Sequence, residues 1–96
     1  MKFFRLPRNL MPEISRFYGI IIKMFFDDHS PPHFHAQYEG LELIVNINTL
    51  GVVAGKLPAR ATGLVMEWAS LHQAELVVDW EKARGLKPLD KIDPLP

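Results

Sequence analysis

The 96-residue sequence contains no cysteine, which excludes disulfide bonds, thiolate nucleophiles and cysteine-ligated zinc sites. It also has no net charge, because eleven Lys and Arg residues balance eleven Asp and Glu residues. A neutral chain lacks the attraction that draws basic proteins to nucleic acids or anionic membranes. Apolar runs are short: residues 19–22 are followed at once by Lys23, whereas a membrane-spanning helix needs roughly 20 apolar residues. We therefore expect a cytoplasmic protein without a membrane segment.

What is present is the composition of one folded domain, with 48% apolar and 10% aromatic residues. The first ten residues, MKFFRLPRNL, contain three basic residues and lack the apolar stretch of a signal peptide. We predict that residues 1–10 are an N-terminal extension and that residues 11–96 form a single domain. The predicted domain has eight basic and eleven acidic residues, so its net charge is −3.

The first half of the domain has the pattern of an antiparallel sheet. Residues 17–26, FYGIIIKMFF, predict one strand buried on both faces, and Asp27 to Pro32 predict a loop. Residues 33–38 and 41–46 alternate around Glu39-Gly40, which predicts a hairpin with Tyr38 opposite Leu41. Residues 52–57 predict a fourth strand.

The second half of the domain predicts a long helix. Residues 59–84 lack proline, and Gly85 is suited to end the helix. A straight helix of that length would span about 39 Å, so it must break near His72 or project. Its second apolar surface, which includes Trp80, then needs cover from the tail KPLDKIDPLP or from a homodimer partner. The predicted fold is α+β, an antiparallel sheet of about four strands packed by one long C-terminal helix.

A histidine cluster is the feature that predicts chemistry. His33 and His35 are two residues apart on a predicted strand and therefore share a face, while Asp28 and His29 lie in the loop before it. Imidazole and carboxylate groups are ligands of divalent transition metals such as Zn²⁺, Fe²⁺, Ni²⁺ and Mn²⁺. The candidate metal ligands are thus Asp28, His29, His33 and His35.

Two other interpretations of the cluster stay open. His29, His33 and His35 could act as general acid and base on a ribose 2′-hydroxyl, with Lys56 or Arg60 holding the phosphate. Alternatively, the imidazoles only pack and form hydrogen bonds around the Pro31-Pro32 turn. The sequence does not decide among a metal site, acid–base catalysis and a structural role.

Four stretches of the sequence resemble a known family: MPEISRFYGI at 11–20, DDHSPPHFHA at 27–36, GKLPARA at 55–61 and MEWASLHQAEL at 66–76. They resemble the small bacterial family named domain of unknown function 4160, over essentially residues 11–93. The resemblance makes His29, His33 and His35 the motif histidines, and it carries no established activity. It also implies membership of predicted toxin–antitoxin gene pairs.

Two functional hypotheses follow. The first is a toxin-like component that acts on RNA through the histidine cluster, although a domain of net charge −3 lacks the basic surface of an RNA-binding protein. The second is a non-enzymatic module that binds a protein encoded by a neighbouring gene, with or without a metal ion held by the histidines.

Overall fold

A computed structural model describes residues 11–96, and the predicted extension at residues 1–10 lies outside the described residues. The fold is α+β, as predicted. Its elements in chain order are β1 (Glu13–Phe17), β2 (Ile20–Lys23), β3 (His33–Tyr38), β4 (Leu41–Asn46), β5 (Val52–Gly55), α1 (Ala59–Leu71) and α2 (Gln73–Arg84). Within residues 11–96, neither helix has the length and apolar character needed to cross a bilayer.

The sheet is an antiparallel meander with the strand order β1-β2-β3-β4-β5, so it has five strands where about four were predicted. The predicted single strand over residues 17–26 is wrong, because the chain turns at Tyr18-Gly19. Both residues have positive φ, 50° and 80°, a combination that suits a two-residue hairpin turn. In β1, a register shift after Glu13 buries the consecutive residues Ile14 and Ser15, and this irregularity hides the alternation expected of a strand.

The hairpin of β3 and β4 has the predicted register at every pair. Tyr38 lies opposite Leu41, and the pairing continues to His33 opposite Asn46. The turn residues Glu39 and Gly40 have φ of 48° and 80°. One face of this hairpin therefore enters the core and the other carries the histidines, as the alternation predicted.

Strand β5 is an edge strand, and all four of its residues are exposed. Ile44 pairs with Ala54 while Val45 pairs with Val52, so Val53 is an extra residue in a β-bulge. The strand ends at Gly55, which has φ of +82°, and a Cβ atom there would collide with the backbone oxygen of Glu42. The predicted strand end at Leu57 is thus two residues too late, because the chain leaves the sheet at this glycine.

The predicted single helix is two helices. His72 separates them with φ −121° and ψ 23°, so the break near His72 is the alternative that the structure adopts. The side-chain amide of Gln73 donates hydrogen bonds to the backbone oxygens of Ile47 and Asn48, which ties the start of α2 to the segment after β4. A straight projecting helix could not make these bonds.

Helix α1 and the C-terminal tail enclose the core on one face of the sheet. The ring of Trp68 lies 5.4 Å from that of Phe17 and 5.8 Å from that of Phe34, measured between centroids. Trp68 also donates its Nε1 hydrogen to the backbone oxygen of Asp93 at 2.8 Å. In the tail, Ile92 and Leu95 are buried. The tail therefore packs on the core beside Trp68, and the homodimer stays a prediction.

Candidate functional site

The candidate site lies on the face of β3 that points away from the core, beneath the loop of residues 24–32. His33 and His35 are only 7% and 6% exposed, although they are polar. The loop that covers them is tied to two elements: the N–H of Asp27 donates to the oxygen of Ala83 in α2, and the N–H of Ile47 donates to the oxygen of Pro32. These bonds hold the loop over the two imidazoles.

The side chain of Asp28, in this loop, lies next to both histidines. Its Oδ2 atom lies 2.9 Å from Nε2 of His33 and 3.9 Å from Nε2 of His35. One ligand atom from each of the three residues lies within 4.8 Å of the others. Asp28, His33 and His35 therefore form a group that could hold a metal ion.

The hydrogen bonds of the rings define which nitrogen atoms carry hydrogen. Nδ1 of His33 lies 2.6 Å from the backbone oxygen of Pro31, and Nδ1 of His35 lies 3.2 Å from Oε2 of Glu42. Both oxygens only accept, so each ring donates from Nδ1. The Nε2 atom of each ring is the one that faces the Asp28 carboxylate.

This arrangement leaves one buried atom unsatisfied. Among the described residues, Nε2 of His35 is buried and has no hydrogen-bond partner. Nε2 of His33 lies 2.9 Å from Oδ2 of Asp28, a contact that either a proton on the ring or a bound metal ion would make favourable. Buried polar atoms without a partner are uncommon, and they often mark a binding or catalytic site.

Residues around the ligand group fix the orientation of both rings. Glu42 accepts hydrogen bonds from His35 and, at 3.3 Å, from Nε2 of Gln37. A carboxylate behind an imidazole is a common support for metal-binding histidines. The ring of Phe25 meets His35 edge-on with centroids 4.7 Å apart, and that of Trp80 lies 5.2 Å from His33. These contacts therefore hold both imidazole rings in place without a bound ligand.

His29, the third predicted histidine, is not part of this group. Its side chain is 89% exposed, and both its Nδ1 atom and its backbone N–H contact the other oxygen of Asp28, at 2.9 and 2.8 Å. These contacts occupy Oδ1, so Oδ2 is the oxygen that Asp28 presents to His33 and His35.

Lys56 and Arg60 are exposed, and the structure does not bring them to the histidines. A cavity of about 430 Å³ lies at the site, and neither cation lines it. Arg60 lines a separate cavity beside Tyr18 and Tyr38. The phosphate-holding role predicted for these two cations therefore has no support from their positions.

The cavity at the histidines has mainly apolar walls. It is lined by Phe25, Phe26, Asp27, Asp28, His29, Pro31, His33, His35, Ile44 and Val53. Sequence reasoning missed Phe25, which had been assigned to a strand, and Val53, which enters the wall from the bulge in β5. Trp80, which was predicted to lie on an apolar helix surface that needs cover, is buried in the core and also contacts His33.

A family model matches most of the chain. The family model described as "Domain of unknown function (DUF4160)" matches residues 19–81, which include the loop, β3 and most of α2. No curated protein and no solved structure is similar enough to count as a match. The chain therefore belongs to the DUF4160 family, and its histidine group lies within the matched residues.

Proposed function

We propose that this domain binds a divalent first-row transition metal ion through Asp28, His33 and His35. The observation that carries the proposal is the buried, unpartnered Nε2 atom of His35, beside a carboxylate oxygen that also faces Nε2 of His33. A cation between these three atoms would satisfy all of them at once. This function is the metal-holding form of the binding-module hypothesis.

The donor set favours particular metals. Two imidazoles and one carboxylate oxygen suit Zn²⁺ and Fe²⁺ and leave at least one coordination position open. The Oδ1 contacts of His29 support a single oxygen ligand from Asp28. The hydrogen bonds from Nδ1 of His33 to Pro31 and of His35 to Glu42 would keep both Nε2 atoms available for the ion.

RNA cleavage by a metal-free histidine pair has weaker support from the same geometry. No lysine or arginine within residues 11–96 lines the cavity, whereas Asp27 and Asp28 do line it. Carboxylates at this position would repel a phosphodiester, and phosphoryl chemistry needs cationic groups at the transferring phosphate. The composition of the cavity wall therefore favours metal binding over the cleavage of RNA.

Metal titration of chelator-treated full-length protein tests the proposal. We expect isothermal titration calorimetry with Zn²⁺ to give one site per chain, and elemental analysis after gel filtration to retain about one equivalent. Asp28→Asn and His35→Gln should each weaken Zn²⁺ affinity by at least about tenfold, because each removes one ligand. Circular dichroism of each variant establishes that the loss does not come from unfolding.

Two other histidines serve as matched controls. His72 also contacts a carboxylate, that of Glu75, but it lies at the break between the helices, so His72→Gln should leave Zn²⁺ affinity unchanged. His29→Gln should also retain the site, since His29 contacts only Oδ1 of Asp28. Retention of full affinity by folded Asp28→Asn and His35→Gln would refute the proposal, as would equal losses in all four variants.

A further inference from the structure

We infer that the cavity over Asp28, His33 and His35 binds a small organic carboxylate with an apolar body, whose carboxylate completes the coordination of the metal ion. The inference rests on the proposed metal-binding function. It names the class of ligand that the remaining part of the site would accept.

The proposed metal ion would keep at least one coordination position open. The protein supplies three ligand atoms, whereas transition metals of this class take four to six. The three ligand residues form part of the wall of the 430 Å³ cavity, so an additional ligand would approach through that cavity. The cavity has room for several non-hydrogen atoms besides the one bound to the metal.

The charge of the cavity wall limits the charge of the ligand. Within the described residues, the cavity wall has no lysine or arginine, so the metal ion would be the main positive charge available to an anion there. A ligand that bears one carboxylate matches this single centre, whereas a phosphate ester or a polyanion would meet Asp27 and Asp28 without further cationic partners. The anionic part of the ligand would thus be small and singly charged.

The apolar part of the cavity wall indicates the chemistry of the rest of the ligand. Beyond the ligand group, the walls contain two phenylalanines, a proline, an isoleucine and a valine, namely Phe25, Phe26, Pro31, Ile44 and Val53. A hydrocarbon group that packs against these side chains is removed from contact with water. This favours a ligand with an alkyl or aryl body over one with a hydroxylated body. The expected ligand is therefore an alkyl or aryl monocarboxylate.

Two neighbouring valines provide a matched pair for the test. Val53 lines the cavity and is 50% exposed, whereas Val52 is 53% exposed and does not line it. Both lie in the edge strand, where a polar substitution on an exposed side chain is tolerated. Val53→Ser should therefore alter ligand affinity, and Val52→Ser should serve as the control.

The experiment uses full-length protein loaded with Co²⁺, whose visible absorption reports on its ligands, titrated with acetate, hexanoate and phenylacetate. We expect hexanoate and phenylacetate to change the Co²⁺ spectrum with affinities at least about tenfold above that of acetate, which corresponds to about 1.4 kcal/mol. Val53→Ser should reduce this preference severalfold, and Val52→Ser should preserve it.

The outcomes separate the two proposals. If Co²⁺ gives no spectrum of the bound ion, both the metal site and the ligand class are overturned. If Co²⁺ binds but the three acids bind equally or not at all, the ligand class alone is overturned. The same holds if hexanoate binds the metal-free protein as tightly as the loaded protein, or if the two valine variants behave alike.

Discussion

The imidazole ring of His33 lies against the indole ring of Trp80, with ring centroids 5.2 Å apart. One candidate metal ligand is therefore in contact with a fluorophore of α2. Metal binding at His33 would change the environment of this indole, because the ring would carry a coordinated cation at Nε2. We expect Zn²⁺ to change the tryptophan fluorescence of the chelator-treated protein with a one-to-one titration curve.

Substitution of each tryptophan assigns this signal. Trp68 contacts His72 rather than the candidate ligands, with ring centroids 5.6 Å apart. The Zn²⁺-dependent change should therefore persist in Trp68→Phe and disappear in Trp80→Phe, while calorimetry still detects binding in both. A signal that disappears in Trp68→Phe and survives in Trp80→Phe would contradict the placement of the metal ion beside His33.

The C-terminal end of α2 predicts a stabilising substitution. Leu86 has φ of 58°, and the N–H groups of Leu86 and Lys87 donate to the oxygens of Ala83 and Lys82, the pattern of a Schellman motif. Glycine usually takes this left-handed position, and the leucine side chain is mainly exposed. Leu86→Gly should raise the free energy of unfolding by about 1 kcal/mol in urea denaturation.

Lys87 provides the control for this substitution. It follows Leu86 directly, but its φ is not in the left-handed region. Lys87→Gly should lower stability or leave it unchanged, because glycine gains nothing there and loses more conformational entropy on folding. Equal stabilisation by both glycines would show that the backbone conformation of Leu86 is not the cause.

Alanine substitutions at Gly55 and Gly40 would distinguish the cost of a strained backbone from the cost of a steric collision. Both have positive φ, +82° and +80°, but a Cβ atom at Gly55 meets the backbone oxygen of Glu42, while one at Gly40 meets nothing within 4 Å. We expect Gly40→Ala to cost about 1 kcal/mol and Gly55→Ala about 2–4 kcal/mol of unfolding free energy. Similar losses at the two positions would mean that β5 moves away from β4 without a penalty.

Asp79 predicts a dependence of stability on pH. Its carboxylate is buried in α2, where Oδ1 accepts the N–H of Asp90 and Oδ2 has no partner among the described residues. Burial raises the pKa of Asp79 above its ordinary value of 3.8, and the nearby carboxylates of Asp90 and Glu75 act in the same direction. The backbone hydrogen bond from Asp90 and the charge of Lys82 oppose this pKa shift without reversing it.

A raised pKa in the folded state favours the protonated acid, so its contribution to stability is present below about pH 3.8 and is lost as pH rises through the folded-state pKa. Asp79→Asn keeps an acceptor for Asp90 and removes the titration. We expect the wild-type protein to lose stability relative to Asp79→Asn as pH rises from 3.5 towards 7 in urea denaturation. If the wild-type protein instead gains stability relative to Asp79→Asn over this pH range, the pKa of Asp79 is lowered and the prediction is wrong.

The hairpin of β3 and β4 could be predicted from sequence because its two strands alternate independently and agree on one register. Turn chemistry at Glu39-Gly40 then fixed the pairing. The turn at Tyr18-Gly19 has similar backbone angles, yet the three isoleucines after it conceal the alternation that would have indicated a strand end. The continuous apolar stretch therefore predicted one long strand where the fold has β1 and β2, and the residues of β1 before Phe17 were not predicted to be a strand.

The candidate site could be predicted only in part, for a related reason. Strand periodicity placed His33 and His35 on one face, which is a local property of the sequence. The choice between Asp28 and His29 as the third group depends on how a nine-residue loop folds over the sheet, and spacing carries no information on that. The distance of Lys56 and Arg60 from the histidines likewise depends on where β5 ends.

The helix break at His72 sets the orientation of α2 about its own axis, and the candidate site depends on that orientation. One residue inserted just after His72 would turn α2 by about 100° about its own axis, since an α-helix has 3.6 residues per turn. Trp80 would then leave the ring of His33, and Asp79 would leave its contact with the tail. The segment from His72 to Trp80 is therefore a place where a change in length would disturb the histidines although it is distant from them in the sequence.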